Sequence, residues 1–289
     1  MVGKVGYLGP KATFTHVAVQ EVFSEYEQIP FKTIPSCIDA VYNEEVEYGI
    51  VPLENALEGS VNLTLDYLIH GHRLPVVGEI ILPIRQHLMV HPDHADKWEE
   101  VQAVYSHPHA IAQCHKFLYG SLAHVPVEEM TSTAFAAKYV SENPGEVVGA
   151  IANGLAAKEY GLHIARPNIH DYDHNTTRFV VLHKDRTRAV PFEQENGYKT
   201  TLMITLPSDQ AGALHQVLSA FAWRKLNLSK IESRPMKTGL GNYFFIVDIE
   251  QKMDEVLIPS AIAELEALGC KVAVLGSYPH TLLDQKIPL

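Results

Sequence analysis

Short apolar runs alternate with amphipathic stretches over residues 4–184, and this alternation limits the possible folds more than any other feature of the chain. A short apolar run is typical of a buried strand, whereas apolar residues spaced about three to four positions apart are typical of a helix with one buried face. Strands that alternate with helices favour an α/β architecture with mostly parallel sheets. The predicted strands are Val5–Leu8, Tyr48–Pro52, Val76–Val90, Ala103–Ser106, His124–Glu128 and Val147–Ala152. The predicted helices are His16–Phe23, Leu63–Ile69, His109–Leu118 and Ala134–Val140.

The order of elements changes after residue 184. Residues 185–197 are polar, contain a proline and lack periodicity, so we predict a linker there. A second domain is predicted at 198–277, followed by a C-terminal tail at 278–289. Its predicted elements are strand Tyr198–Leu206, helix Gly212–Leu226, strands Leu228–Arg234 and Tyr243–Ile249, helix Glu255–Leu268 and strand Lys271–Gly276. This βαββαβ order is that of a ferredoxin-like domain.

The composition argues against several classes of protein. Of the 289 residues, 46% are hydrophobic and 20% are charged, as in ordinary globular proteins, and the formal net charge of −11 disfavours a non-specific nucleic-acid binder. No apolar stretch approaches the roughly 20 residues that cross a bilayer, and the first residues do not resemble a cleavable signal. Cys37, Cys114 and Cys270 are odd in number and far apart, so they are expected to be reduced thiols. We therefore expect a cytoplasmic protein that binds neither nucleic acid nor membrane.

Five loops are the candidate ligand-binding segments of the first domain. In open α/β sheets, ligands bind beyond the carboxyl ends of strands, where loops lead into helices. The loops that satisfy this condition are 9–15, 52–63, 106–109, 131–133 and 175–179.

The loop at 175–179 carries the most distinctive polar cluster. Thr176, Thr177 and Arg178 stand at the start of an apolar run, Phe179–Leu182, that should be buried. Arginine is the side chain best suited to bind a carboxylate in a bidentate geometry, and a threonine beside it can donate a hydrogen bond to the same small anion. A purely structural role at the start of a strand is the alternative.

Two other loops place polar groups next to predicted helices. Glu54 and Asn55 end a predicted strand and present a carboxylate and an amide to one crevice. Thr13 starts a helix, whose free N–H groups favour an anion. The alternatives are helix capping by Thr13 or Thr15, and a solvated loop for Glu54 and Glu58.

The loops at 106–109 and 131–133 also close a strand and open a helix. Ser132 or Thr133 is a candidate helix cap. Capping accounts for one hydroxyl group of the loop and leaves ligand contact by the other residues open.

These motifs, in this order, resemble the prephenate dehydratase family, and the resemblance covers nearly the whole chain. The segments that carry it are Gly6–Pro10, Ala12–Thr15, Val51–Asn55, Glu58-Gly59, Thr64–Leu68, Ser106–Pro108, Gln113-Cys114, Ser132-Thr133 and Thr177–Phe179. The second domain resembles a phenylalanine-sensing ACT regulatory module at Gly212–Leu214 and Lys230–Pro235. Three residues depart from the family's pattern: Ala12 stands where glycine is usual, Thr15 stands where serine is common, and Ala56 replaces a hydroxyl residue.

The resemblance implies a two-lobed catalytic domain at 1–184, similar to type II periplasmic binding proteins, followed by the linker and a ferredoxin-like ACT domain. Lobe one is expected at about 1–77 and 166–184, and lobe two at about 78–165. The implied reaction converts prephenate to phenylpyruvate, with loss of carbon dioxide and water, in phenylalanine biosynthesis. No metal and no other cofactor is expected.

The resemblance also implies roles for the polar residues of the loops. Thr177 is expected to donate a hydrogen bond to the departing hydroxyl group, either relaying a proton or stabilising charge. Glu54 is either a proton source or an ionised carboxylate that orders its loop, and Arg178 either binds a substrate carboxylate or forms a structural ion pair. The predicted catalytic residues are Thr177, Arg178, Glu54 and Asn55. The predicted substrate-binding residues are Thr13, Ser106, Gln113, Ser132, Thr133 and Phe179.

For the ACT domain, the resemblance implies a phenylalanine site and feedback inhibition. Gly212 lets the ligand approach the backbone at a helix start, and Asn227 or Glu232 is a candidate for binding its ammonium group. The predicted site comprises Gly212, Ala213, Leu214, Asn227, Glu232, Ser233, Arg234 and Pro235. From the residues alone, a polar sheet edge is the preferred interpretation of 232–234. Because modules of this type bind ligand at subunit interfaces, a homodimer or homotetramer is expected.

Three alternatives stay open. The enzyme could prefer arogenate, in which an amine replaces the keto group of prephenate. The two-lobed fold also serves non-catalytic amino-acid or small-anion sensors, although the Thr177–Phe179 set argues against this. A metal hydrolase would account for the 16 histidines, some paired in loops, such as His107 and His109. The pairs lack H-E-x-x-H or a cysteine partner at zinc spacing, so we interpret them as surface histidines.

Overall fold

The computed structural model describes residues 2–207, 211–236 and 243–284. These residues form two compact units. The first contains the described residues of Met1–His72, Ile80–Phe179 and Leu283–Leu289, and the second contains those of Arg73–Glu79 and Val180–Leu282. Within the described ranges, no helix is long and apolar enough to span a bilayer.

The first unit is built from two sheets and the helices that cover them. Its strands are β1 (Lys4–Leu8), β2 (Glu27–Phe31), β3 (Tyr48–Asn55), β4 (Gly59–Ser60), β5 (Val76–Pro83), β6 (His87–Val90), β7 (Val104–Ser106), β8 (Val127–Glu129), β9 (Gly149–Ala152), β10 (His163–Arg166) and β11 (Thr176–Leu182). Its helices are α1 (Phe14–Val22), α2 (Ile34–Tyr42), α3 (Asn62–His70), α4 (Pro108–Ala112), α5 (His115–Ser121), α6 (Thr133–Glu142) and α7 (Gly154–Tyr160). A stretch of 3₁₀ turns covers Pro92–Glu100. Strands β5 and β11 each have residues in both units.

The first lobe is a sheet in which the strands lie in the order β5, β11, β3, β1 and β2, with β4 paired to β3. Strand β1 runs parallel to β2 and β3. Helix α1 begins directly after the loop that follows β1, because the Thr13 hydroxyl accepts a hydrogen bond from the His16 N–H group (3.3 Å). Thr33 and Ser36 form a capping box that starts α2. Both caps place a helix start at the end of a parallel strand, and the loop before α1 is one of the predicted candidate loops.

The second lobe is a sheet in the order β10, β6, β9, β7 and β8. Strand β7 is parallel to β8 and β9, whereas β6 is antiparallel to β9 and β10. The sheet is therefore mixed, and not mostly parallel as predicted. Small side chains let helices α6 and α7 approach it closely. The buried alanines of this core are Ala134, Ala136, Ala137, Ala150, Ala152, Ala156 and Ala157.

The predicted single strand Val76–Val90 is wrong. The chain forms two strands in different sheets, and it passes from the first sheet to the second between Pro83 and His87, not near Val77. Residues up to Ile84 stay with the first lobe, since the Ile84 N–H group donates to the Asn175 carbonyl oxygen at 2.8 Å. His87 pairs with Ala152 in the second lobe. An apolar run shows that its residues are buried but not which sheet buries them.

The predicted helix His109–Leu118 is also divided, into α4 and α5. The chain leaves the helical conformation at Cys114, which has φ −118° and ψ 21°. Gln113, the residue before this break, is buried. The break therefore fixes Gln113 at the end of one short helix.

The second unit has the predicted βαββαβ order, which confirms the ferredoxin-like fold. Its elements are β12 (Gly197–Thr205), α8 (Ala213–Ala222), β13 (Leu228–Pro235), β14 (Tyr243–Ile249), α9 (Leu257–Ala267) and β15 (Lys271–Leu282). The strands lie in the order β13, β14, β12 and β15, and every neighbouring pair is antiparallel. One apolar core joins the sheet to both helices. It includes Leu202, Ile204, Val217, Phe221, Ile258 and Leu265.

The last strand is longer than the predicted Lys271–Gly276. Strand β15 continues to Leu282, since it pairs with the whole of β12 as far as the Gly197–His280 pair. Residues 278–282, predicted as part of a tail, are therefore in the sheet. Residues 285–289 lie outside the described part of the chain.

A buried histidine at the start of β6 predicts acid sensitivity. His87 is 2% exposed, and its Nδ1 atom accepts a hydrogen bond from the Asn168 N–H group at 3.0 Å. Burial, followed by the charges of His170 and Arg85, lowers its pKa from 6.5 to about 4. Its neutral form stabilises the fold above pH 6.5, and this stability is lost as pH falls from 6.5 towards 4, because only the unfolded chain takes up the proton there.

Because of His87, we expect the free energy of unfolding to decrease by on the order of 3 kcal/mol as pH falls from 6.5 to 4. Urea denaturation at several pH values measures the effect. His87→Asn, which keeps an acceptor near the Nδ1 position, should flatten the pH dependence, whereas the exposed His115→Asn should not. Equal slopes for wild type and His87→Asn in this range would show that His87 is not the group responsible.

Candidate active site

A cleft of about 770 Å³ lies between the two lobes of the first unit. The first lobe and the crossing after it contribute Leu8, Gly9, Thr13, Phe14, Pro52, Asn55, Glu58, Gly59, Ser60, Val61, Thr177, Ile84 and Gln86. The second lobe contributes His107, His109, Ala110, Gln113, Thr131, Ser132 and Thr133. All five predicted loops supply residues to this lining.

A chain of side-chain amides connects the two lobes at the cleft. The Asn55 Nδ2 group donates to Asn175 Oδ1 at 2.9 Å, and the Asn175 Nδ2 group donates to Gln113 Oε1 at 3.1 Å. Asn175 is 2% exposed and Gln113 is 7% exposed. Because Asn175 uses its oxygen towards Asn55 and its nitrogen towards Gln113, the direction of every amide is fixed. The NH₂ group of Gln113 is therefore the last group in this series of hydrogen-bonded amides.

The same asparagine orients the predicted catalytic threonine. Asn55 Nδ2 also donates to Thr177 Oγ1 at 2.9 Å. The Asn55 oxygen in turn accepts hydrogen bonds from the Leu57 and Glu58 N–H groups at 3.0 and 3.1 Å, which holds the amide in place. Since the threonine oxygen is an acceptor for Asn55, its own hydrogen points elsewhere. The Thr177 hydroxyl is thus prepared to donate to a molecule in the cleft.

Glu54 and Arg178 contact each other on the neighbouring strands β3 and β11. Arg178 NH1 lies 2.6 Å from Glu54 Oε2, and the two side chains are 15% and 27% exposed. Neither residue is among the residues that line the cleft. This geometry favours the structural ion pair over the predicted grip on a substrate carboxylate.

The predicted hydroxyl residues fall into two groups. Thr13, Ser132 and Thr133 line the cleft, and the first two cap α1 and α6. Ser106 is fully buried and donates to the Ile151 carbonyl oxygen at 2.7 Å, outside the lining. Phe179 is also outside it, 2% exposed in the protein core. The structure therefore does not place Ser106 and Phe179 in the cleft lining.

Glu58, His107, His109 and Gln86 line the cleft but were absent from the predicted set of site residues. Glu58 comes from the first lobe and His109 from the second, and Glu58 Oε2 lies 3.9 Å from His109 Nε2. His107 is partly buried, and this burial, then the charge of His109, lowers its pKa. The surface interpretation of these histidines missed their place in the cleft. Gln86 is the fourth, and no motif pointed to it.

The loop that precedes α1 explains why glycine is usual at position 12. Ala12 has φ 63°, a left-handed conformation that glycine adopts without strain. Its N–H group donates to His16 Nδ1, and its carbonyl oxygen accepts from Asn153 Nδ2, both at 2.9 Å. Asn153 belongs to the second lobe, so these bonds hold the loop from both sides of the cleft.

In the second unit, the predicted effector residues lie on α8 and β13. Gly212 precedes α8 with φ 85°, and no side chain within the described ranges caps this helix. Glu232 accepts from Lys230 Nζ at 3.1 Å and from Arg234 NH1 at 3.3 Å. Asn227 donates to Glu250. The remaining predicted residues are Ala213, which is buried, and Leu214, Ser233 and Pro235, which are exposed.

The described residues contain no group of three or more histidine, cysteine, aspartate or glutamate side chains arranged to hold a metal ion. In the same part of the chain, Cys37, Cys114 and Cys270 are free and buried.

The fold and the site together define a class: a two-lobed, periplasmic-binding-protein-like catalytic domain followed by a ferredoxin-like regulatory domain. The sequence pattern of the prephenate dehydratase family matches residues 5–187, and that of the ACT domain matches residues 200–269. The chain belongs to the prephenate dehydratase family.

Three relatives illustrate the similarity. The prephenate dehydratase of Bacillus subtilis is 59% identical, over 95% of this chain and 98% of its own. Arogenate dehydratase 2 of Petunia hybrida is 33% identical, over 96% of this chain and 71% of its own. The crystal structure of prephenate dehydratase from Arthrobacter aurescens in complex with L-Phe is 32% identical, with a TM-score of 0.84 over 95% of this chain and 89% of that chain.

Proposed function

We propose that this chain converts prephenate to phenylpyruvate, carbon dioxide and water in phenylalanine biosynthesis, and that phenylalanine inhibits it through the ACT domain. The observation that carries the catalytic part is the Thr177 hydroxyl, which lines the cleft and accepts from Asn55 at 2.9 Å. A hydroxyl group oriented in this way can donate a hydrogen bond to an oxygen that gains negative charge.

The reaction needs little beyond orientation and help for the leaving oxygen. The bond to the ring carboxylate breaks and its electron pair enters the ring, while the carbon–oxygen bond breaks and its pair leaves with the hydroxyl group. Thr177 donates to that oxygen as its charge develops. A proton from solvent, or from one of the titratable lining residues Glu58, His107 and His109, completes the water molecule.

Helix starts and hydroxyl groups are the proposed carboxylate ligands. The lining residues named above include no lysine or arginine. Helices α1 and α6 begin at the cleft, and Ser132 and Thr133 add hydroxyl groups there. The Thr13 hydroxyl group instead caps α1 and donates to the Leu8 and Pro10 carbonyl oxygens. The Gln113 NH₂ group at the end of the amide chain supplies a further neutral donor. In this arrangement Arg178 and Glu54 position β3 and β11 beneath the reacting groups.

Phenylpyruvate formation from prephenate by the purified protein, with and without phenylalanine, tests the proposal. Activity that phenylalanine suppresses is the expected result. Activity that phenylalanine does not suppress would support the catalytic part of the proposal and contradict inhibition through the ACT domain. A folded protein with no activity on prephenate would contradict the proposal, and arogenate and then simple ligand binding would be tested next.

Arogenate is the second candidate substrate, because a petunia relative bears the name arogenate dehydratase. The two substrates share the ring, its hydroxyl group and both carboxylates, and differ at the side-chain keto or amino group. The ratio of kcat/KM for the two substrates decides between them. We expect prephenate to be preferred.

The effector site predicts that backbone change at the start of α8 abolishes phenylalanine binding. Gly212→Val forces a branched side chain into a left-handed backbone conformation, and Glu232→Ala removes the acceptor proposed for the ligand's ammonium group. Isothermal titration calorimetry should show affinity falling at least tenfold in both variants. Gly269→Val is the matched control, since Gly269 has a similar φ of 88° and lies outside the predicted site. Wild-type affinity in both site variants would exclude this location.

We infer that the enzyme is a cytoplasmic homodimer or homotetramer. Support comes from strand β13, which ends the sheet order of its unit and exposes Ile231, and from Leu214 and Leu218, which are exposed on α8. Light scattering of the purified protein distinguishes monomer, dimer and tetramer. The three free, buried cysteines fit a reducing compartment, which cell fractionation checks.

A further inference from the structure

Gln86 has a buried polar atom for which the described part of the chain offers no hydrogen-bond partner. The residue is 2% exposed, and its Oε1 atom is buried with no donor within hydrogen-bond distance among the described residues. Yet Gln86 lines the cleft. An unsatisfied buried acceptor costs about 1–3 kcal/mol, so native proteins rarely keep one without a use.

The backbone on either side holds Gln86 in place. Its carbonyl oxygen accepts from the Ile169 N–H group at 2.9 Å, and its N–H group donates to His170 Nδ1 at 3.4 Å. Two residues earlier, the Ile84 N–H group donates to the Asn175 carbonyl oxygen. Gln86 therefore lies where the chain crosses between lobes, tied to the segment that leads to Thr177. The backbone of Gln86 is therefore held in place at the cleft wall.

We propose that Gln86 Oε1 binds the ring hydroxyl group of the substrate as a hydrogen-bond acceptor. This inference rests on the proposed function. Both carboxylates and the keto group of prephenate only accept hydrogen bonds at neutral pH, so the ring hydroxyl is its one donor. An acceptor that finds no donor among the described residues matches that single group.

Gln86 and Thr177 then recognise the same hydroxyl group from two directions. Gln86 accepts its hydrogen, and Thr177 donates to its oxygen. With its hydrogen held by Gln86, the oxygen presents a lone pair to Thr177 as the carbon–oxygen bond breaks. Gln86 thereby acts as a specificity residue for the leaving group, and the bond persists from substrate to departing hydroxide.

The test compares Gln86→Met, which keeps the size of the side chain and removes the acceptor, with wild type. Two non-reacting inhibitors are used: a ring-saturated analogue of prephenate that carries the hydroxyl group, and the same molecule without it. We expect Gln86→Met to weaken binding of the hydroxyl analogue about tenfold and to change binding of the deoxy analogue less than twofold. The exposed Gln102→Met is the matched control and should change neither.

Two further readouts separate this inference from a structural role and from the proposed function. Removal of an orphan acceptor should leave the melting temperature of the free enzyme unchanged or raised, and should lower kcat/KM for prephenate and arogenate by the same factor. Equal weakening of both analogues, no weakening of either, or an effect on arogenate alone would overturn the role of Gln86. Failure of the wild-type enzyme to turn over prephenate would instead overturn the proposed function.

Discussion

Thr177→Ala is expected to lower kcat by roughly 10²- to 10³-fold, about 3–4 kcal/mol on the barrier, the cost of removing one donor from a developing oxyanion. The Thr177 side chain contacts Asn55 through its oxygen, so the variant loses the donor while Asn55 keeps its bonds to Asn175 and to the Thr176 carbonyl oxygen. The fold and the phenylalanine response should be unchanged. Steady-state kinetics with prephenate measures the loss.

Two variants control for the position. Thr177→Ser keeps the hydroxyl group and should retain most of the activity. Thr176→Ala changes the neighbouring side chain but leaves its carbonyl oxygen, which accepts from Asn55, and should be close to wild type. A kcat for Thr177→Ala within about threefold of wild type, roughly 0.7 kcal/mol, would remove Thr177 from the chemistry.

The second large effect concerns the direction of the amide chain. In Asn175→Asp, an ionised carboxylate has only acceptors, so Gln113 must rotate and donate to it. Gln113 then presents an oxygen to the cleft, where the wild type presents an NH₂ group, and a dianionic substrate is repelled. We expect kcat/KM at pH 8 to fall roughly 10²-fold, the magnitude of losing a donor to a charged ligand.

The pH dependence of kcat/KM for Asn175→Asp tests whether the direction of the amides is responsible for the loss. A protonated aspartate can accept from Asn55 and donate to Gln113, as asparagine does. Burial raises the pKa of an aspartate at this position above its usual value near 3.9, so the activity relative to wild type should recover as pH falls. Asn175→Ala should lose activity equally at all pH values. An Asn175→Asp variant whose deficit does not change with pH would show that the amide direction is unimportant.

The periodicity of the apolar residues was sufficient to predict the fold class. It was insufficient to predict how the chain connects the strands. The βαββαβ order of the second unit follows from alternation in its strands and from apolar spacing in helices such as α8, because each element buries one face. The crossing between Pro83 and His87 could not be predicted, since one apolar run supplies strands to two sheets. The antiparallel pairing of β6 was missed because the residues of a strand do not encode the direction of its neighbour.

Part of the cleft lining was predictable from the sequence where a motif marked it. Asn55, Thr177 and Gln113 were expected from separate loops, and the structure joins Asn55 directly to Thr177 and, through Asn175, to Gln113. The link itself was not predicted, because a hydrogen bond between residues 120 positions apart leaves no local pattern. Gln86 was missed because nothing in the residues around it distinguishes an unsatisfied amide from a paired one.

The choice between the two roles of Arg178 also required coordinates. An arginine next to a threonine predicts an anion site, and an arginine opposite a glutamate on the next strand predicts an ion pair. The 2.6 Å contact with Glu54 is the observation that favours the ion pair.

The lining residues of the cleft named above include no lysine or arginine, and this has a consequence for the rate of substrate capture. Prephenate carries two negative charges, and the protein carries a formal net charge of −11. The dipoles of helix starts and amides act over a few ångströms, so they cannot attract the substrate from beyond a Debye length of roughly 10 Å. At that distance the overall field repels it. Added salt therefore speeds encounter for this enzyme, the reverse of its effect on enzymes that steer their substrates electrostatically.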